Sequence, residues 1–283
     1  MTLQVLVREA RTRLAFAGIT GAEAALDADL LARHVLGWDR AVFVARMLEE
    51  APPGFAEAFE ALIARRARRE PVAYIRGSQE FWGRDFLVRA GVLIPRPETE
   101  LVVEEALAWA GTRAPGTRLR VLDVGTGSGC LAVTLARELP GAVVFATDVS
   151  SHALAVAREN ARRFEAGVSL HLGAYLGAVP PPFDLVVSNP PYVTEAAYRD
   201  LQPEVRDYEP ATALIGGPDG LDVARGIVRL AAKALAPGGL LLMEIGDGQA
   251  APAGQMVADA EALRLLRIRP DLQGIARVLV ARR

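Results

Sequence analysis

From residue 117 onward, short apolar runs alternate with helix-patterned segments, and that alternation leaves few folds open. The runs are LRVLDV (119–124), VVFATD (143–148), VSLHL (168–172), FDLVVS (183–188), GLLLMEI (239–245), LRLLRI (263–268) and ARVLVA (276–281). Between the first of them lie segments with Leu131, Leu135 and Leu139 on one helical face, then Leu154, Ala157, Ala161 and Phe164. Near-continuous apolar strands joined by amphipathic helices predict a mostly parallel sheet covered on both faces. The fold class is therefore α/β, and the last two runs are placed to pair as a terminal hairpin.

The first 70 residues read differently. Leu26, Leu30, Leu31 and Val35 recur at helical spacing behind Thr20-Gly-Ala-Glu23, which has the spacing of a capping box. After APPG (51–54), Phe55, Phe59, Leu62 and Ile63 begin another amphipathic helix. The run Arg65, Arg66, Arg68, Arg69 reads as a solvated helix face, with RNA or an acidic partner as the alternative. From Pro71 the pattern turns to aromatic and β-branched residues punctuated by Gly77, Gly83 and Gly91, which predicts hairpins. Three regions are expected: a helical domain over 1–70, a hairpin and linker over 71–94, and an α/β domain over 95–283.

Open parallel sheets bind ligands beyond the carboxyl ends of their strands. The first strand ends in Asp123-Val-Gly125-Thr126-Gly127-Ser128-Gly129-Cys130. Glycines let the backbone approach a ligand closely, and a helix start offers unpaired amide hydrogens. Cys130 stands where the dinucleotide fingerprint needs its third glycine, and no Gly-Lys-Ser/Thr of a P-loop follows. Asp148 ends the second strand, where a carboxylate can accept both hydrogens of a ribose diol. A nucleoside with a methionine tail answers to this pair better than NAD does, so S-adenosylmethionine (SAM) is the expected cofactor.

The fourth core strand stops on Asn189-Pro190-Pro191-Tyr192. An amide or exocyclic amine is a poor nucleophile because its nitrogen lone pair is delocalised. Acceptors that hold its two hydrogens turn the lone pair toward a methyl donor. The Asn189 side-chain oxygen and the Pro190 carbonyl suit that task, with Pro190 and Pro191 fixing the backbone. The Tyr192 ring offers a flat face that tolerates developing positive charge. Positioning and electrostatics would supply the rate, without a covalent intermediate.

Four stretches now carry a resemblance: IPRPETE (94–100), DVGTGSGC (123–130), SNPPYV (188–193) and EVRDYEPATALIGGPDGL (204–221). Together they resemble the HemK/PrmC family, the protein-(glutamine-N5) methyltransferases of peptide-chain release factors, from about Pro71 to the end of the sequence. The resemblance implies a seven-stranded, Rossmann-like SAM-dependent methyltransferase sheet with an antiparallel last strand and a small N-terminal helical domain. It implies that the acceptor is the glutamine of the Gly-Gly-Gln loop of bacterial-type release factors. Gly125, Thr126, Gly127, Ser128 and Gly129 would meet the methionine end of the cofactor, and Asp148 its ribose. Asn189 would border both cofactor and substrate, and Asn189, Pro190, Pro191 and Tyr192 would form the glutamine pocket. The sequence departs from the family at Ala174, where an acid often stands; Tyr175 beside it is expected near the adenine.

Asn-Pro-Pro-Tyr is shared with DNA-adenine and ribosomal RNA-guanine methyltransferases, which are the nearest rivals; a non-catalytic SAM-binding adaptor is a third reading. A formal charge of −2 and a pI near 6.0 provide no basic target-recognition domain, so nucleic-acid contact is not expected. The helical first domain, with no chemistry of its own, is expected to hold the release factor. No metal is expected: His34 has no partner nearby in sequence, and His152 and His171 lack ligand spacing. Cys130, the one cysteine, lies near a helix start that can lower its pKa, though packing is the expected role. No apolar run reaches the length of a membrane span, and the N-terminus is charged, so the expected location is cytoplasmic.

Overall fold

The computed structural model describes residues 1–114 and 116–283. They divide into two units, one comprising Met1–Ser78 and Gln202–Tyr208, the other Gln79–Leu201 and Glu209–Arg283.

The first unit is helical: α1 (Leu3–Phe16), α2 (Gly21–Leu36), α3 (Arg40–Arg46), α4 (Phe55–Ala67), α5 (Val72–Arg76) and the single turn α9 (Pro203–Arg206). Its core joins Leu3, Leu14, Leu31, Phe43, Phe59 and Ile63, the residues whose 3.6-residue spacing marks the inward faces. The capping box is half made. The Thr20 hydroxyl oxygen accepts the Glu23 N–H at 3.4 Å, but the Glu23 carboxylate turns to Arg66 at 2.9 Å. Arg66 is not on a solvated face; it is 2% exposed and also donates to Asp27 at 2.6 Å and Glu204 at 2.7 Å. Arg69 donates to Glu204 and to the Gly18 carbonyl, and Arg65 pairs with Glu70. A buried guanidinium needs carboxylates around it, and this need outweighs the cap.

The second unit opens with a hairpin, β1 (Ser78–Phe81) and β2 (Arg84–Leu87), and a 3-10 turn at Pro97–Thr99 that leads into α6 (Glu100–Ala110). Then follow β3 (Arg120–Val124), α7 (Cys130–Glu138), β4 (Val143–Asp148), α8 (Ser151–Arg163), β5 (Val168–Leu172) and β6 (Phe183–Ser188). The unit closes with α10 (Asp222–Ala234), β7 (Leu235–Glu244), α11 (Ala250–Ala258), β8 (Arg264–Pro270) and β9 (Ala276–Arg282).

Seven strands form one sheet in the order β5-β4-β3-β6-β7-β9-β8. The first five are parallel, while β9 runs antiparallel to both β7 and β8. Successive strand residues serve opposite faces: Val121, Leu185 and Leu242 enter one buried cluster, and Leu122, Val186 and Leu241 the other. Helices α6 and α7 cover the first face through Val102, Val103, Leu131 and Leu135; α10 and α11 cover the second through Ile227, Val228, Ala253 and Val257. The edge strand β8 is largely exposed, and its Arg267 and Arg269 pair with Glu105 and Glu104 on α6, which keeps a charged edge. Strand order reverses at β3, with β4 to one side and β6 to the other. Thr147, Val124 and Ser188 lie level across these three strands, so their carboxyl ends open onto one crevice.

Candidate active site

At that crevice lies a cavity of about 250 Å³, and all four motif stretches reach it. Pro95 and Thr99 come from the segment before α6, Asp123 to Ser128 from the end of β3 and the loop after it, Asn189 and Pro191 from the turn after β6, and Pro210, Thr212 and Ala213 from the segment before α10. Glu209 links two of these segments. Its carboxylate accepts from the Ile94 N–H at 3.0 Å and from Arg96 at 2.5 Å.

The loop after β3 is held from three sides. The N–H groups of Gly125 and Thr126 both donate to the Thr147 carbonyl on β4, at 2.9 and 3.0 Å. Gly127, at φ +56°, donates its N–H to the Asp148 carboxylate at 2.9 Å. A non-glycine residue is disfavoured at this backbone angle. The Asn160 side chain donates to the Ser128 carbonyl at 2.8 Å from behind. Gly129 caps α7 and does not line the cavity.

Asp123 enters the site in a way its place in the strand only hinted at. One carboxylate oxygen accepts the Thr126 hydroxyl at 2.6 Å and the Ala132 N–H, in the first turn of α7, at 3.2 Å. The chain's own acid thus takes one of the amide hydrogens that the helix start offers to a ligand. The other oxygen, Oδ1, is buried and has no hydrogen-bond partner in the protein. Burial, with Asp148 nearby, pushes the Asp123 carboxyl up to about 7. An unpaired buried carboxyl oxygen, on a residue that lines the cavity, is stabilised by a cation nearby. SAM carries two, an ammonium and a sulfonium, and in this respect the residues fit it.

Asp148 lines the cavity with both oxygens engaged by backbone, Oδ2 with Gly127 and Oδ1 with the Ser150 N–H at 2.8 Å. Each oxygen keeps a further lone pair, enough for the two hydrogens of a diol. Ala174 and Tyr175 line the same wall beside Val149 and Ser150. Tyr175 adopts φ +53°, its carbonyl accepts the Thr147 hydroxyl at 2.6 Å, and its own hydroxyl rests against Gly226 of α10. Cys130 also lines the cavity; burial pushes its thiol up to about 12, so the helix start does not activate it.

Asn189 leaves β6 half-buried, and its Nδ2 donates to the Thr99 hydroxyl oxygen at 2.9 Å. Thr99 in turn donates to Glu244 at 2.6 Å. Pro191 lines the cavity, whereas Pro190 and Tyr192 are not among its lining residues. The Tyr192 side chain faces Glu244, and its carbonyl accepts from Gln249 at 3.0 Å. The Gly-Gly-Pro-Asp-Gly loop presses on this turn. A Cβ on Gly216 would meet the Pro191 carbonyl oxygen at 2.5 Å, so nothing but glycine fits there. Glu244 and Asn160 had no signal of their own in the sequence, since each matters through a partner far along the chain; Thr99 and Glu209 lie within two of the motif stretches, but no role was assigned to either. Among the described residues, no cluster of His, Cys, Asp or Glu could hold a metal, and no helix is long and apolar enough to cross a membrane.

Comparison with known proteins agrees with this layout. The model of the PrmC N-terminal domain matches residues 6–77, and that of the Methyltransferase small domain matches residues 109–203. The chain is 44% identical to the release factor glutamine methyltransferase of Koribacter versatilis, over 91% of each chain. It is 45% identical to that of Cereibacter sphaeroides, over 98% of this chain and 96% of the relative. With that of Deinococcus radiodurans the identity is 43%, over 100% of this chain and 99% of the relative. Among solved structures, a methyltransferase from Pyrococcus furiosus shares the fold at TM-score 0.54 and 20% identity, over 77% of this chain and 98% of that one. A T. thermophilus 16S rRNA methyltransferase solved with AdoMet and guanosine does so at TM-score 0.51 and 22% identity, over 73% and 49%.

Proposed function

The chain belongs to the release factor glutamine methyltransferase family, and we propose that its cavity moves a methyl group from SAM to the side-chain amide nitrogen of the glutamine in the Gly-Gly-Gln loop of bacterial-type release factors. The observation that carries this reading is the turn at Asn189. It is the polar end of a buried strand, it lines the same cavity as Asp123 and Asp148, and its Nδ2 is already tied to Thr99. Its oxygen is thereby left for a donor, and a glutamine amide is one.

When bound, SAM supplies a methyl carbon made electrophilic by the adjoining sulfonium. The C–S electron pair stays on sulfur, so S-adenosylhomocysteine is the product, and the methylated amide gives one of its hydrogens to water as a proton. In this reading Asp123 receives the cationic end of the cofactor, Gly125 to Gly129 shape its seat, Asp148 takes the ribose, and Tyr175 flanks the adenine. The Asn189 oxygen and the Pro190 carbonyl accept the two hydrogens of the substrate amide, which turns the nitrogen lone pair away from its own carbonyl. Pro191 narrows the pocket, and Tyr192 backs it with its ring while Glu244 faces its side chain. Most of the acceleration then comes from fixed dipoles and alignment. The helical unit takes hold of the release factor body, which puts the work of the protein in the cytoplasm; RNA and DNA are not its substrates.

The test is methyl transfer from radiolabelled SAM to a purified release factor, run beside a copy whose Gly-Gly-Gln glutamine is alanine. Label on the first and none on the second is expected. Equal labelling of both, or label on ribosomal RNA alone, would overturn the reading.

A further inference from the structure

An asparagine side chain has two nearly isosteric orientations, and only one presents an oxygen to a substrate amide. We propose that Thr99, held by Glu244, is the positioning residue that selects this orientation of Asn189. The inference rests on the functional reading above and adds to it the means by which the acceptor is aimed.

The argument is one of hydrogen-bond polarity. Glu244 ends β7, and Met243 before it lies level with Ser188 at the end of β6, so the glutamate stands beside the Asn189 turn. It is 1% exposed. Above about pH 7, where this buried acid has given up its proton, its carboxylate accepts hydrogen bonds and cannot donate, and the polarity that follows is that of the ionised form. The Thr99 hydroxyl, 2.6 Å from Oε2, therefore spends its single hydrogen on Glu244. What Thr99 Oγ1 turns toward Asn189 is a lone pair, and the side-chain atom 2.9 Å away is Nδ2. Rotating the amide by half a turn would bring two acceptor oxygens face to face in a buried place with no hydrogen between them. The same carboxylate faces the Tyr192 side chain and favours its protonated hydroxyl. One buried acid thus neighbours the last residue of Asn189-Pro190-Pro191-Tyr192 and, through Thr99, holds the first.

The cavity holds a second observation in favour. Thr99 borders it, yet its hydroxyl is committed on both sides, as donor to Glu244 and acceptor from Asn189. It has little left for a ligand, so its contribution passes through Asn189. Such a residue affects the step in which the amide is held for transfer more than it affects binding.

The experiment compares full-length wild type, Thr99→Val, Thr99→Ser and Glu244→Gln for kcat and KM on a release factor, with SAM affinity measured separately by calorimetry. Valine keeps the shape and removes the hydroxyl; kcat is expected to fall ~10- to 100-fold, as when one aligned polar group is lost. SAM affinity and the KM for release factor should stay within about 3-fold. Serine restores the hydroxyl and should recover turnover to within about 3-fold of wild type. Glu244→Gln, which offers both a donor and an acceptor, no longer enforces the polarity and should fall between the two. Near-normal kcat in Thr99→Val, or a parallel loss of SAM affinity and turnover, would overturn the assignment. A wild-type protein that leaves the release factor unlabelled would instead remove the functional reading beneath it.

Discussion

The side-chain amide of Asn160 bridges the glycine loop after β3 and the hairpin, donating to the Ser128 carbonyl at 2.8 Å and to the Leu87 carbonyl at 3.0 Å, while its oxygen accepts the Leu87 N–H at 2.8 Å. Asn160 is fully buried on α8. Replacing it with leucine keeps the bulk and leaves three backbone groups unpaired, at about 1–3 kcal/mol for each that stays buried. Asn160→Leu should therefore lower the thermal midpoint and weaken SAM binding by roughly 10-fold. Thermal melts and calorimetry check both; unchanged SAM affinity would mean that the bridge serves stability alone.

Asn189→Ala should abolish measurable methyl transfer, a loss of ~100-fold or more, because it removes the aimed acceptor. SAM binding should weaken only modestly, since Asp123, Asp148 and the glycine loop remain. Kinetics on a release factor, set beside SAM titration, separates these effects. Turnover near that of wild type would refute the assigned mechanism.

The buried acids make stability depend on pH. Burial pushes the Glu244 carboxyl from 4.5 up to about 7, against the Thr99 and Tyr192 hydroxyls and Arg277, with Glu98 adding to the rise. A carboxyl whose folded pKa is raised favours the fold while protonated. That contribution is complete below the unfolded value and is lost as pH climbs through about 7, since the unfolded chain gives up its proton first. Asp123, also pushed to about 7, acts with the same sign. Stability should fall by on the order of 3 kcal/mol per group across this window. Glu244→Gln should flatten the slope by one group's share in denaturant titrations run at stepped pH. Equal slopes in both proteins would count against a raised Glu244.

Arg66→Met should destabilise the helical unit by about 3–5 kcal/mol, because it strands the buried Asp27 and loosens Glu204 of the 202–208 segment. Chemical denaturation followed by circular dichroism reads the loss. A change under about 1 kcal/mol would mean that both acids find water or other partners.

Phe16 is 88% exposed at the end of α1, an unusual place for an aromatic ring on a helical surface. If the helical unit holds the release factor, Phe16→Ala should raise the KM for the whole factor by about 3- to 10-fold and leave methylation of a short Gly-Gly-Gln peptide unaltered. Equal effects on both substrates would argue against recognition by this surface.

Much of this protein could be read before its structure. The period of the apolar runs determined the sheet, the alternation of strand and helix determined its parallel core, and the residues that end β3, β4 and β6 marked the cavity wall. Gly125, Asp148 and Asn189 were legible because each sits where a strand stops, and strand ends are set by local sequence. Arg66 was misread for the converse reason: four arginines in five positions look like a solvated face until Asp27 and Glu204 arrive from elsewhere. The same limit hid the pairing of Thr99 with Glu244, 145 residues apart and 2.6 Å distant. Local sequence determines which backbone segments can form and where they end; which buried polar groups then meet, and in which direction each hydrogen bond runs, is decided only when distant strands are brought side by side away from water.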